Sequence, residues 1–327
     1  MERLAERSRV GTLLTPRSVG TDTIPAVDDG LIDVGDSALF VVERGDGELP
    51  LFVLHGGPGL DHTMFGHHLD ELSDVCRMLF VDLRCQGRSQ PAPAETWTLQ
   101  QMASDVDALA RSLKLDHYAV LGHSFGAFVA LQHAVDFAGR PAASIISAGV
   151  PAATYLAEIE RNLETFEPAE LREQVASSWA REREARTQED CRSLLSDQLP
   201  FHFRDPRDPR IEAMRAELEQ MVFSPDVLRA AANEDYGAID VEDRLSAVSH
   251  PVLVLAGRHD RTCPLAGARA IAEGVPGAEL VEFEDSAHMM FIEERDAYIG
   301  AVRDFLARRT SVRTAARAVE HGGTSLP

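Results

Sequence analysis

The chain has 327 residues, of which 44% are apolar, and a formal net charge of −21 at pH 7. This length suits one large α/β domain with an insertion or two small domains, and the apolar fraction is too high for a disordered chain. Because the acidic residues are spread along the sequence, nucleic acid and anionic membrane surfaces are disfavoured as partners.

The four cysteines, Cys76, Cys85, Cys191 and Cys263, show no C-x-x-C spacing. Zinc-ribbon and redox motifs are therefore not predicted, and reduced thiols are expected. Residues 1–30 lack the apolar segment of a signal peptide, and no apolar run is long enough to cross a bilayer. We therefore expect a soluble cytoplasmic protein.

The predicted elements begin after residues 1–30, which show little periodicity and are expected to form an N-terminal arm. Two apolar runs at 38–42 and 51–54 flank Gly45-Asp46-Gly47, which predicts a hairpin. Further apolar runs predict strands at 78–81, 117–121, 143–146, 251–256 and 280–283. Helical spacing of apolar residues occurs at 99–113, 127–137, 265–273 and 291–307.

Apolar strands that alternate with helices indicate a parallel sheet covered on both faces. This α/β core is expected to comprise residues 31–151 and 241–308. Residues 152–240 are rich in Glu, Arg, Ala and Leu and contain no convincing strand, so they predict a helical insertion. Residues 309–327 end in a Gly- and Ser-containing segment and are expected to form a flexible C-terminal tail.

The strongest local motif lies at residues 122–126, which read Gly-His-Ser-Phe-Gly. A predicted strand precedes it and a predicted helix follows, which is the context of a nucleophile elbow. The turn is too tight for side chains at its flanks, so glycine stands at both. Ser124 is then held on a strained corner, at a helix N-terminus that favours negative charge. An ordinary Gly/Ser turn is the alternative for the motif alone.

A serine nucleophile needs a base beside it, and the base needs an acid that holds its tautomer. Asp260 follows the strand at 251–256, and His288 follows the strand at 280–283. The chain order Ser124, Asp260, His288 is the order expected for this elbow, with each residue at the carboxyl end of a strand. These three are the predicted catalytic residues.

Other residues compete for the roles of acid and base. Asp285 is an alternative acid, but it lies only three residues before His288 in the same loop. His250 precedes its strand, at the opposite end from the predicted site. His259 adjoins Asp260 in the wrong chain order.

A loop that has no bulky side chain after its first residue follows the strand at 51–54, where residues 55–59 read His-Gly-Gly-Pro-Gly. Backbone N–H groups of such a loop can approach a substrate carbonyl closely. The amides of Gly57 and Phe125 are therefore the predicted oxyanion hole.

Neither a nucleotide-binding motif nor a metal-binding motif is predicted. The sequence contains neither a G-x-G-x-x-G motif with the spacing of a dinucleotide fold nor a Walker A sequence. His62, His67 and His68 are clustered, but no matching carboxylate arrangement can be specified, so a solvated loop is expected and no metal site is predicted.

The segments at 55–59, 82–89, 122–126 and 257–260, together with His288, resemble the α/β-hydrolase superfamily, and within it the proline iminopeptidase group of serine peptidases. The resemblance implies an eight-stranded, mostly parallel sheet with a helical cap and no cofactor. It also implies removal of an N-terminal proline, with cap carboxylates that receive the free amine of a short peptide. Candidates for those carboxylates, each expected on a solvated helix face, are Glu182, Glu184, Glu234 and Asp235.

The sequence departs from the group at Leu83 and Cys85, and at His123 and Phe125 of the elbow. A serine hydrolase with proline iminopeptidase-like activity on a small amide or ester is therefore the first hypothesis. The alternatives are an esterase, a lactonase or a C–C bond hydrolase of small-molecule metabolism. A non-catalytic small-molecule binding protein on the same fold is a further alternative.

Overall fold

The computed structural model describes residues 29–321, with side chains up to residue 309. Nearly all of the predicted N-terminal arm, residues 1–28, lies outside the described residues, as do residues 322–327 of the predicted tail. No helix in the described part of the chain is both long and apolar enough to cross a membrane.

The centre of the fold is an eight-stranded sheet with the order β1-β2-β4-β3-β5-β6-β7-β8. The β1–β2 and β2–β4 pairs are antiparallel and the remaining pairs are parallel. The predicted fold class, a mostly parallel eight-stranded α/β sheet, is therefore confirmed. The strands are β1 (Gly30–Asp33), β2 (Ala38–Arg44), β3 (Leu49–Leu54), β4 (Cys76–Val81), β5 (Ala119–His123), β6 (Ala143–Ser147), β7 (Val252–Gly257) and β8 (Glu279–Phe283).

The predicted hairpin between the first two apolar runs is wrong. Strand β2 pairs with β4, which lies between β2 and β3 in the sheet. Gly45 and Gly47 serve a close approach instead of a hairpin turn, since a Cβ at Gly45 would lie 2.7 Å from Ser73 and one at Gly47 would lie 2.3 Å from the backbone of Cys76.

Every residue of β3 to β7 is buried, so both faces of the central sheet are covered. Thr98 caps the helix at 99–112 by accepting a hydrogen bond from the amide of Gln101 at 3.1 Å. The helices are α1 (Leu99–Ser112), α2 (Phe125–Asp136), α3 (Glu158–Glu164), α4 (Ala169–Arg181), α5 (Gln188–His202), α6 (Arg210–Glu217), α7 (Pro225–Ala232), α8 (Leu265–Gly274), α9 (Met290–Glu293) and α10 (Arg295–His321).

Helix α10 continues to His321, so residues 309–321 of the predicted flexible tail are helical. This segment is rich in Ala and Arg, which have high helix propensity, and its glycines follow only at 322 and 323. The helix therefore runs on past residue 308, the predicted end of the core.

The segment between β6 and β7 contains helices α3 to α7, and we call residues 152–240 the cap. Its two ends meet in an isolated antiparallel bridge between Ala152 and Asp240. The amide of Ala153 donates to the carbonyl of Ile239 at 2.7 Å, and that of Val241 donates to the carbonyl of Pro151 at 2.9 Å. The chain therefore enters and leaves the cap at one place, next to the sheet.

The parallel strands align their carboxyl ends at one edge of the sheet. Leu54 of β3 is level with Gly122 of β5, and Gly122 is level with Ile146 of β6. The register continues to β8, where Phe283 pairs with Gly257 of β7. Loops that follow these strands therefore converge beneath the cap.

Candidate active site

Ser124 lies on a strained turn between β5 and α2. Its backbone has φ 55° and ψ −120°, a conformation that a non-glycine residue adopts at a cost. A Cβ at Gly122 would lie 2.0 Å from the carbonyl oxygen of Gly126, and one at Gly126 would lie 2.3 Å from that of Leu54. Both flanking positions therefore require glycine, and the elbow presses directly against the end of β3.

Asp260 and His288 form a buried hydrogen-bonded pair. Asp260 follows β7, His288 follows β8, and Asp260 Oδ2 lies 2.8 Å from His288 Nδ1. Thr262 Oγ1 also lies 2.8 Å from His288 Nδ1, and it donates its own proton to Asp260 Oδ1. This arrangement favours the tautomer with a proton on Nδ1, which leaves Nε2 free to accept one.

Asp260 is held as a carboxylate in this site. Burial on its own would raise the pKa of the carboxyl group, but the charge and hydrogen bond of His288 and two backbone amides lower the pKa below its ordinary value. Those amides belong to Thr262 and Cys263 and lie 2.8 and 2.9 Å from Oδ1. The acid therefore stays ionised at neutral pH.

The alternative acid and bases lie elsewhere. Asp285 is 69% exposed and forms an ion pair with Arg204. His259 is exposed on the surface loop. His250 is buried at the opposite end of β7, where its Nε2 lies 2.9 Å from Ser144 Oγ. Among the described hydrogen bonds, none joins the side chain of any of these three residues to Asp260 or His288.

The glycine loop after β3 lies against the elbow. A Cβ at Gly56 would come within 3.3 Å of both Ser124 Cβ and the Met64 side chain, so the loop backbone approaches the serine as closely as packing allows. Gly57 adopts φ 119°, which favours glycine. Gly57 and Phe125 both line the same cavity as Ser124 and His288.

This cavity lies between the cap and the sheet edge, and apolar side chains form most of its wall. Its polar lining includes Gln198, His202, Tyr236 and Thr262, none of which was predicted from the sequence. Thr262 lies two residues after Asp260, and this spacing is typical of an Asx turn, so it could have been predicted from the sequence. The cap residues have no such signal, because cap packing alone brings them to the cavity.

Glu182, which follows α4, is the sole carboxylate among the described residues that line this cavity. It is 4% exposed, contrary to the expected solvated helix face, and burial raises its pKa to about 6. Gln198 donates to its Oε1 at 2.7 Å, and the Tyr236 hydroxyl donates to Oε2. The other three candidates, Glu184, Glu234 and Asp235, are exposed.

The expected solvated loop is wrong for His62. This residue is 6% exposed, and its Nδ1 lies 2.6 Å from Asp82 Oδ1. Asp61 completes a group whose ligand atoms are close enough for a metal ion, but Arg88 and backbone amides already occupy the carboxylate oxygens. His67 is 92% exposed and pairs with Asp70. The buried group therefore fits a structural network better than a metal site.

A second group with metal-ligand spacing consists of Asp260, Cys263 and His288. Both oxygens of Asp260 already accept hydrogen bonds from the protein. Burial raises the pKa of the Cys263 thiol well above its ordinary value, so the thiol keeps its proton. With these contacts already made, the group fits a hydrogen-bonded Asp260–His288 pair better than a metal site.

The arrangement as a whole is that of an α/β hydrolase, with a serine elbow, a buried acid–base pair and a glycine loop at one sheet edge. A sequence profile of the alpha/beta hydrolase fold matches residues 50–295. The chain belongs to the α/β hydrolase fold family.

Known proteins of this family resemble the chain over most of its length. A proline iminopeptidase of Clostridium botulinum is 28% identical over 270 residues, which cover 79% of this chain and 89% of the relative. A solved proline iminopeptidase of Mycobacterium smegmatis is 24% identical with a TM-score of 0.69, covering 86% of this chain and 99% of that one. A solved esterase of Exiguobacterium antarcticum is 22% identical with a TM-score of 0.68, covering 86% and 100%. The chain is thus a proline iminopeptidase-like α/β hydrolase by resemblance.

Proposed function

We propose that this protein is a serine hydrolase that acts through an acyl-enzyme and releases N-terminal proline from small prolyl amides and short peptides. The observation that carries the proposal is the buried 2.8 Å contact between Asp260 and His288, because His288 lines the same cavity as Ser124. A purely structural ion pair would not require a strained serine in the same cavity.

In the proposed reaction, His288 Nε2 takes the proton of Ser124 as the oxygen attacks the substrate carbonyl carbon. The negative charge that forms on the carbonyl oxygen is received by the amides of Gly57 and Phe125. The C–N bond then breaks, His288 returns the proton to the leaving amine, and the acyl group stays on Ser124. Water hydrolyses this ester by the same route, and Asp260 keeps the imidazolium oriented throughout.

The cap supports an amine-bearing substrate. Glu182 accepts two hydrogen bonds and keeps lone pairs for a third donor, such as the ammonium group of an N-terminal residue. A buried carboxylate that is paired with a cation is favoured over an unpaired one. The curated relative named proline iminopeptidase supports the same substrate class.

A second candidate is an esterase or lactonase for uncharged acyl substrates, and a C–C bond hydrolase belongs to the same group. The mainly apolar wall of the cavity favours it, as does the pKa of Glu182 of about 6, because the carboxyl group is partly neutral near that pH. A non-catalytic binding protein is the third candidate, and the strained Ser124 argues against it.

The proposal is tested first with a fluorophosphonate probe. Ser124 attacks phosphorus, the P–F bond breaks as the P–O bond forms, and the serine proton passes to His288. A folded wild-type protein that takes no label contradicts the serine hydrolase. Turnover of proline β-naphthylamide is then compared with that of short-chain p-nitrophenyl esters, and activity on the esters alone contradicts the peptidase and supports the second candidate.

The substitution Glu182→Gln tests the role of the cap carboxylate. Hydrogen bonds to charged groups contribute about 1.5–3 kcal/mol, so kcat/KM for the prolyl amide is expected to fall about 10- to 100-fold. Activity on p-nitrophenyl esters is expected to persist. Glu184→Gln, a substitution of the same kind at an exposed position two residues away, is the matched control.

The ionisation of Glu182 also predicts how the preference for the amide over the ester depends on pH, and Glu182→Gln tests this. Glu182 gains its charge as pH rises through about 6, so the ratio of kcat/KM for the amide to that for an ester is expected to rise through this range. The ratio cancels the ionisation of the catalytic groups, which both substrates share. In Glu182→Gln the ratio is expected to be flat, and an unchanged rise would refute amine binding by this residue.

A further inference from the structure

The cap end of α5 lies directly against the catalytic base. His202, its last residue, accepts a hydrogen bond at its carbonyl from the amide of His288 at 3.0 Å. The two imidazole rings have centroids 5.1 Å apart at an angle of 34°. The base is therefore held by the cap through both its backbone and its ring face.

Arg261 joins the same helix end to the loop of the catalytic acid. This residue follows Asp260, and its guanidinium donates to the carbonyls of Phe201, Phe203 and Arg204 at 2.7–3.1 Å. Carbonyls at a helix C-terminus lack partners within the helix and favour a cation. The acid loop, the base loop and the end of α5 thus form one connected unit.

A second imidazole contacts His288 from the core. His123, in the elbow, has its ring centroid 5.0 Å from that of His288 at an angle of 54°. Burial, together with the charge of His288, lowers the pKa of His202 to about 3 and that of His123 well below its ordinary value. Both neighbouring imidazoles are therefore uncharged at neutral pH and pack on His288 as neutral rings.

We propose that His202 is a positioning residue for His288, and that its planar ring holds the catalytic base in the orientation needed to take the proton of Ser124. This inference rests on the proposed serine hydrolase. The ring of His202 contributes by packing. The hydrogen bond from the amide of His288 to the carbonyl of His202 joins backbone atoms, so it remains when the side chain of His202 is substituted. Because His202 belongs to the cap, the position of the cap on the sheet edge affects the orientation of the His288 ring.

The test compares H202F, which keeps a planar ring, with H202L, which fills similar space without one. The measured quantities are kinact and KI for fluorophosphonate labelling of Ser124, which need no knowledge of the natural substrate. Misplacement of a catalytic group by about 1 Å can cost about a hundredfold, so kinact of H202L is expected to fall about 10- to 100-fold with KI unchanged. H202F is expected to keep most of the wild-type rate.

The matched controls are H133F and H133L. His133 is a buried histidine of α2 that stacks on Phe137 at 5.2 Å, and it is not among the residues that line the cavity. Both controls are expected to label at the wild-type rate. Thermal unfolding is followed for every variant, and H202M takes the place of H202L in the comparison if H202L fails to fold.

The outcomes separate the two proposals. If H202L labels at the wild-type rate, or if H202F is as slow as H202L, the positioning role is overturned while the serine hydrolase stands. If the wild type takes no label, the proposed function itself fails. A slow H202L with an active H202F supports the positioning role.

Discussion

Ser124→Ala is expected to lower turnover about a million-fold and to abolish fluorophosphonate labelling, because it removes the only proposed nucleophile. Ser124→Gly is expected to be equally inactive but more stable than Ser124→Ala. A non-glycine residue at φ 55° and ψ −120° costs about 1–3 kcal/mol, whereas the added chain entropy of glycine costs about 0.5–1 kcal/mol. The net gain is about 1 kcal/mol, or roughly 2 °C in Tm.

Calorimetric unfolding of the two variants isolates backbone strain, because neither has a serine hydroxyl. Ser178→Ala is the matched control for activity, since Ser178 is a buried serine of α4 that hydrogen-bonds within its own helix. Full labelling of Ser124→Ala would place the nucleophile elsewhere. An equal or lower Tm for Ser124→Gly would show that the turn stores no strain that glycine relieves.

Asp260→Asn is expected to lower kcat about ten-thousand-fold, because an amide of the same shape no longer favours the Nδ1-protonated tautomer of His288 or stabilises its cation. Labelling and ester hydrolysis are expected to fall together. The pKa of Asp260 lies below its ordinary value, so the loss is expected at every pH where the wild type is active. The measurement is kcat over a pH series.

Asp285→Asn is the matched control, since it makes the same change in the same group of loops. Asp285 is exposed and paired with Arg204, and an exposed ion pair contributes about 0–1 kcal/mol. Its activity is expected to stay close to that of the wild type. A large loss in Asp285→Asn together with a small one in Asp260→Asn would make Asp285 the catalytic acid.

Strand identity was predictable from the chain, whereas strand pairing was not. The buried strands appear as continuous apolar runs, because both faces of a central parallel strand are covered. Strand β1 carries no such run, since it is a four-residue edge strand in which Leu31 is 57% exposed. The hairpin predicted at Gly45 and Gly47 is wrong because these glycines pack next to β4, which lies about thirty residues further along the chain.

In the site, too, some residues were predictable from the sequence and others were not. Ser124, Asp260 and His288 each follow their own strand, and the structure brings all three loops to the cavity at one sheet edge. Glu182 and Glu184, in contrast, are two residues apart in sequence and look alike there. One is buried on the cavity wall with a raised pKa, and the other is exposed. Both lie in the short 3-10 turn Glu182–Glu184 after α4, in which only Glu182 is buried.

Short-range patterns of apolar residues and glycine predicted the alternation of strands and helices, the helical insertion and the elbow. Only the folded chain shows the strand order, the burial of His62 and Glu182, and the packing of His202 on His288. These features join residues that lie far apart along the chain. They depend on which surfaces exclude water once the cap has packed on the sheet edge, and no local pattern encodes that choice.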